Sequence, residues 1–455
     1  MSGWFAVGVC LTMMLCDPVV AHAGAIRPSD EPVTVPQWLL LSTGGGVVFS
    51  SFLLTATVTD REFLCWFSRR SLRYRFPDWL RWLGRRVGWL SVGWLSVGWL
   101  IVLLVVGLVG PVSPLSSLTI LFVWVGWWAG YTISVYTFTN SWPQFNPWRT
   151  IVDALDVDGR RRQIPPIVER WAAVCGLLGL VFLEVVTPLA TDPRLLSAVI
   201  IGYSVLTVGG GWLFGSRWFE RVDPISRVFR AYGSVAPFHI ANGTLTIRSP
   251  ASDLVRWGDV RFVIAILWAT TYDGLTGTEL WATVVRSMVS GPGVAALLVY
   301  LLALGGGYLL FLFVYRAAVR YTRRTGPTFV TTAVIADRFV PSLLAIAASY
   351  HLAHYLGYLL ELLPVLLVAI VQPLGGPMVP VRLVPGPWIG GLQLLLVLFG
   401  HIVAVWVAHA SAFELFTGTL QPLRIQYPLV VTMMAYTVVS MWIVLQPYAA
   451  PPFVS

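Results

Sequence analysis

Lysine is absent from this 455-residue chain, whose 30 basic residues are all arginine, and charged residues of both signs make up only 11% of it. Soluble domains carry about 25% charged residues, so this composition cannot clothe an ordinary water-facing surface, and a soluble globular enzyme is excluded. Cysteine is scarce as well. Cys10 and Cys16 lie near the start, Cys65 in an arginine-rich loop and Cys175 in an apolar run, with no pair placed for a disulfide. No Walker loop, His-Glu-x-x-His or Gly-x-Ser-x-Gly motif occurs. What is abundant is apolar: 57% of residues are hydrophobic and the mean hydropathy is +0.75.

The apolar residues fall into ten segments, near 37–58, 87–109, 118–138, 171–187, 195–215, 262–276, 293–314, 341–362, 388–412 and 428–445. Each approaches the roughly 20 residues that cross a hydrocarbon core of about 30 Å, the sixth being short. The fold class expected is all-α: a polytopic integral membrane bundle of about ten transmembrane helices, forming one domain over 37–455. Ahead of it, the apolar run from Trp4 to Leu15 and the small residues up to Ala23 read as a signal peptide over 1–23, although no basic residue precedes them. Residues 24–36, rich in Pro and acids, would be an exported arm.

Sorting the arginines by alternate loops puts 26 on one side of these segments. The other side has four, Arg27, Arg194, Arg286 and Arg382. By the positive-inside rule the rich side is cytoplasmic, so a multi-pass plasma membrane protein with both mature termini outside is expected. The net charge of +9 then describes orientation and contact with the lipid bilayer, and no nucleic-acid partner is needed. Oligomeric state is left open.

Within the longest inside loop, 216–261, alternating residues flank Asn242-Gly243, the signal of a small cytoplasmic β-hairpin that carries His239. His239 reads as a hairpin residue more readily than as a ligand. The tandem repeat GWLSVGWLSVGWL from Gly88 to Leu100 steps its tryptophans about 140° apart on a helix, so they share no stripe. It reads as a helix extension toward the interface. Gly209 to Gly211 and Gly305 to Gly307 fall inside helices, where small residues permit close packing. The stretch NSWPQFNPWR from Asn140 to Arg149 reads as an interfacial turn anchored by Trp142 and Trp148.

An ionisable group at the bilayer centre costs on the order of 2.5–3.5 kcal/mol on insertion scales, so such residues are candidate functional groups. They are Glu184 in the fourth segment, Asp273 in the sixth, His351, His354 and Glu361 in the eighth, and His401 and His409 in the ninth. His351 and His354 are about 60° apart on a helix and can share a site. His401 and His409 are separated by about 12 Å along the axis and about 80° around it, too far for one mononuclear metal. One expectation is an intramembrane metal site using His354 and His401, with or without His351, plus Asp273 or Glu361. Such ligands suit zinc, copper or iron, and bound zinc would make a hydrolytic nucleophile from water acting on a small-molecule substrate. A second is haem b held between the histidines of the two facing helices. A third is plain interhelical hydrogen bonding. An ion- or proton-coupled transporter or channel is the alternative from another class, with Glu184, Asp273, Glu361 and the histidines as its path, though no internal repeat is visible.

Four stretches together resemble the fenitrothion hydrolase-like family of bacterial and archaeal polytopic membrane proteins. They are Phe145-Asn146-Pro147-Trp148-Arg149, Thr271-Tyr272-Asp273-Gly274, Phe339-Val340-Pro341-Ser342-Leu343 leading to Ala353-His354-Tyr355, and Gly400-His401 with Ala408-His409. The resemblance spans most of the membrane region. It implies a multi-helix membrane protein with hydrolytic activity on an organophosphate ester, and it favours His354, His401, His409 and Asp273 over His351 as site residues. The family's exported arm tends to open with His-Gly, whereas here it reads Ala21-His22-Ala23-Gly24. A mature chain beginning at His22 would offer an N-terminal copper ligand, and cleavage after Ala23 would remove it.

Overall fold

The fold is described from a computed structural model. It covers residues 37–455 apart from 80–88, 156–161, 242, 249–258, 327, 380, 387, 419, 447–448 and 455. The expected signal peptide, exported arm and His22 lie outside the described residues.

Each of the ten apolar segments forms a helix: α1 (Gln37–Ala56), α2 (Trp89–Val109), α3 (Leu118–Thr137), α4 (Pro166–Val186), α5 (Pro193–Phe214), α6 (Val260–Thr276), α7 (Val294–Thr325), α8 (Ser342–Val371), α9 (Trp388–Leu415) and α10 (Tyr427–Leu445). Eight described helices, those at α2 to α5 and α7 to α10, are long and apolar enough to cross a membrane. The bundle is all-α and polytopic. The shorter helices are α1, whose apolar stretch is Leu41–Ala56, and α6, with 17 residues.

The shortness of α6 follows from its place. From Phe262 to Ala269 every residue is buried, and α4, α7, α8 and α10 pack around it. A helix apolar on all faces belongs inside a bundle, where protein takes the place of lipid along its length. Its start is held by Asp259, which accepts the backbone N–H of Phe262 at 3.3 Å and pairs with Arg227. Its far end presses on two neighbours at Gly274, where a Cβ would fall 2.6 Å from the Tyr350 hydroxyl and 2.7 Å from Ile443 Cγ2.

α8 is the second central helix, packed on α3, α6 and α9. Its contact with α9 is closest at Gly400, where a Cβ would lie 1.8 Å from Ser349 Oγ and 2.9 Å from the Ala345 carbonyl. Part of each glycine cluster does the packing foreseen for it. Trp218 lies across Gly210, and Trp268 lies across Gly307 while its indole donates to the Leu304 carbonyl at 2.7 Å.

The hairpin is present as β2 (Phe238–Ala241) and β3 (Thr244–Arg248), and Gly243 takes the positive φ of 69° that such a turn needs. An unforeseen strand, β1 (Ser71–Arg75), completes an antiparallel sheet ordered β1-β3-β2, with Arg73 opposite Thr246. β1 lies between α1 and α2, and β3 between α5 and α6. Their pairing puts both arginine-rich loops at one end of the bundle, which requires an even number of crossings between them. α2 to α5 supply four. The same end is tied to the α9–α10 connection by Arg61, whose guanidinium donates to the carbonyls of Phe416 and Gly418.

Gly400→Ala should destabilise the protein by about 1–3 kcal/mol through overpacking against Ser349. Gly179→Ala, at a position with nothing within 4 Å, should stay within about 0.5 kcal/mol of the parent. Thermal unfolding in detergent compares the two.

Candidate functional site

Between α2, α3, α4, α5, α6 and α8 lies a half-open chamber of about 840 Å³, within the range of small-molecule pockets. Much of its wall is aromatic. From Phe122 to Tyr131, α3 is wound as a π-helix, a form that recurs at functional sites. That segment brings Trp124, Trp127, Trp128 and Tyr131 to the chamber. Its glycines line the chamber too and face α8: Cβ atoms at Gly126 and Gly130 would fall 3.1 Å from Leu366 and 3.4 Å from Leu359, so small residues let α3 approach α8.

Against this apolar lining stand four ionisable groups: Glu184 from α4, Asp273 from α6, and His351 and His354 from α8. Asp273 Oδ2 lies 3.6 Å from His354 Nε2, both side chains being largely buried. Tyr350 stacks on the His354 ring with an interplanar angle of 10°, and Tyr355 meets it edge-on with centroids 4.9 Å apart. His351, one turn earlier, is fully buried in a box of Trp128, Tyr136, Tyr232 and Tyr355, with its Nδ1 3.3 Å from the Tyr136 hydroxyl.

The chamber's arginine-side floor comes from the stretch read above as an interfacial turn. Trp142 and Trp148 are 6% and 5% exposed, so they face the interior and not the headgroups. The reason is that their N–H groups find partners inside. Trp142 Nε1 donates to Ser226 Oγ at 3.1 Å and Trp148 Nε1 to Ser204 Oγ at 2.8 Å, while Asn146 Nδ2 also donates to Ser226 Oγ at 3.1 Å. Below them the Tyr203 hydroxyl donates to Asp223, which accepts the Ser226 backbone N–H at 3.0 Å and caps the helix Pro224–Gly233. Burial raises the Asp223 pKa above the ordinary carboxyl range, opposed by hydrogen bonds from Ser226 and Tyr203.

The remaining expected site residues lie elsewhere. His401 is buried, with Nδ1 donating to the Val397 carbonyl at 2.8 Å, and His409 donates from Nε2 to the Val58 carbonyl at 3.0 Å. Neither lines the chamber. Glu361 pairs with Arg382 at 3.6 Å, and Tyr272 turns away from the cavity to donate to the Tyr300 carbonyl at 3.0 Å. His239 is exposed on β2.

His401 and His409 are therefore not gathered with His354 and Asp273 on the cavity wall. Among the described residues no three His, Cys, Asp or Glu side chains lie close enough to hold a metal ion, whereas a catalytic zinc takes three protein ligands. His409 ties α9 to the segment that follows α1, beyond that helix's end.

No family model matches the sequence, and no curated protein or solved structure matches it either. The resemblance therefore rests on its motifs, and the fold distributes them unequally. Asn146 to Trp148 form the floor, Asp273 and His354 the polar pair, and the two histidines of α9 neither. The wall residues Trp99, Trp124, Trp127 and Trp128 escaped sequence reasoning. The one available signal was an aromatic, glycine-punctuated run, FVWVGWWAGY, in a helix with no polar face.

A carboxyl whose folded pKa exceeds its unfolded one binds its proton more tightly when folded. Its stabilising contribution is full below the unfolded pKa and is lost as pH rises through the folded value. Asp223→Asn should therefore gain thermal stability relative to the parent as pH rises above about 4, the unfolded carboxyl value. Melting curves across that range check the sign.

Proposed function

We propose that this chain is a multi-pass plasma membrane protein whose bundle binds a largely apolar small molecule and exchanges a proton with it through the His354–Asp273 pair. The carrying observation is that pair, 3.6 Å apart on the wall of a predominantly apolar chamber of about 840 Å³ that also carries Glu184 and His351. Asp273 orients the imidazole and balances its charge, and His354 takes a proton from a ligand hydroxyl or a water and returns it. Intramembrane acids and histidines in such contact are the parts from which proton relays are built. The arginine asymmetry supports a cytoplasmic position for the sheet end of the bundle, with the C-terminus outside.

The hydrolysis implied by the resemblance would use the same pair as a general base on water. It is put forward without a metal, since no three-ligand set is gathered among the described residues. Glu184 favours a second version, proton-coupled passage. A further carboxylate on the chamber wall gives a proton somewhere to go other than back, which hydrolysis does not require.

Detergent-purified protein should bind 1-aminoanthracene saturably, with affinity that changes by up to about tenfold per pH unit where the pair titrates, the limit for one linked proton. Asp273→Asn should flatten that dependence and leave binding in place. Saturable binding that is indifferent to pH in the parent contradicts proton exchange, and the absence of saturable binding contradicts the chamber itself.

A further inference from the structure

The chamber is half-open, and neither end of the bundle is where it opens. At the arginine-poor end Leu103, Leu189 and Leu196 line it, and all three are buried. At the arginine-rich end the floor of Trp142, Asn146 and Trp148 is buried and hydrogen-bonded to Ser226 and Ser204. The opening is therefore in the side. Leu95 of α2 marks it, since this residue lines the chamber and is nevertheless 73% exposed. Phe145, at the edge of the floor, is likewise both lining and exposed.

The helix packing agrees among the described residues. α2 packs on the Leu118–Leu121 turn that starts α3 and on the short helix Pro147–Ala154, and it diverges from the π-helical stretch between them. α4 and α5, although consecutive, do not pack along each other either. Leu95 falls within Val92–Val109, one of the stretches long and apolar enough to cross a membrane. What stands against the opening is then hydrocarbon. In water, apolar faces held apart in this way would close on each other. In a bilayer nothing drives them together, because lipid tails are as apolar as leucine.

We infer that the chamber's ligand is a long-chain lipid with an uncharged polar group, drawn from the surrounding bilayer, which enters sideways between α2 and α3 and reaches the His354–Asp273 pair without crossing water. This rests on the chamber being a ligand site, as proposed above. It adds the ligand's class and its route. The chain passes from lipid to an apolar wall, one hydrocarbon-like surrounding to another, so no water has to be stripped from it. The polar group is uncharged because a charge would be costly at the depth of Leu95. The closed ends keep aqueous solutes from the pair.

Hexadecanol carrying a mid-chain diazirine, dissolved in vesicles that hold the full chain, tests this by illumination and mass-spectrometric mapping of the adducts. α6 is the diagnostic helix, because α4, α7, α8 and α10 surround it and its Thr270 and Asp273 line the chamber. Adducts should appear at Thr270 or Asp273 and be lost in excess 1-aminoanthracene. Those at Val205 of α5, which is 71% exposed, should persist and show that the probe lies against the helices. Thr270→Cys in the same vesicles should react with lipid-soluble N-cyclohexylmaleimide and resist a membrane-impermeant methanethiosulfonate cation. Adducts at Val205 with none on α6 would mean that protein covers the opening, and they overturn the inference. Reaction of Thr270→Cys with the cation overturns it too, by showing a chamber open to water. In both cases saturable binding of 1-aminoanthracene by the parent in detergent leaves the proposed function standing. Its absence, together with the absence of α6 adducts, overturns both.

Discussion

The chamber depends on a close approach at Gly274. Because that residue has no Cβ, the end of α6 can lie directly against Tyr350 of α8 and Ile443 of α10. The preceding residue, Asp273, is thereby held within 3.6 Å of His354. A Cβ there would meet the Tyr350 hydroxyl and Ile443, so these side chains or α6 would have to shift. The enclosure of α6 makes this position well defined, since a helix surrounded by protein cannot tilt or slide as a lipid-facing one can. Its start is fixed independently by the Asp259 cap and the Arg227 ion pair.

The cost of polar groups in hydrocarbon explains much of the rest. His409 and Tyr272 spend their donors on neighbouring backbone carbonyls, and His401 spends one on its own helix. Glu361 is placed where Arg382 reaches it. Those groups serve the bundle. The cavity differs in that two histidines and two carboxylates, His351, His354, Glu184 and Asp273, line one space. Function is argued from that concentration, since groups costly to bury are retained together.

The fold was legible in the sequence and the site only in part, for separable reasons. Apolar runs of spanning length and the Asn-Gly turn are local signals, so the helices and the hairpin could be read directly. β1 was missed although Leu72 and Tyr74 alternate with Arg73 and Arg75, because a lone five-residue strand has meaning only once its partner is known. Asp273 and His354 could be picked out as ionisable groups in apolar runs, and their meeting required the helix contact that Gly274 permits. His401 looked equivalent by the same criterion. What distinguishes it is that its helix does not line the chamber, and its ring hydrogen-bonds within α9 to the Val397 carbonyl. The tryptophans were least legible. Trp99 belongs to a repeat that reads as a helix extension, and Trp142 and Trp148 sit in a stretch that reads as an interfacial anchor. An indole's role is set by what its N–H finds, and that is a tertiary fact.

The central claim is that Asp273 and His354 act as a unit inside the bundle. A double-mutant cycle on thermal stability with Asp273→Asn, His354→Gln and the double variant measures this most directly, because it isolates the interaction from each residue's own packing. A coupling energy of about 0.5–3 kcal/mol, the range for residues in contact, is the predicted result. Additive effects, with no coupling beyond error, would contradict the account.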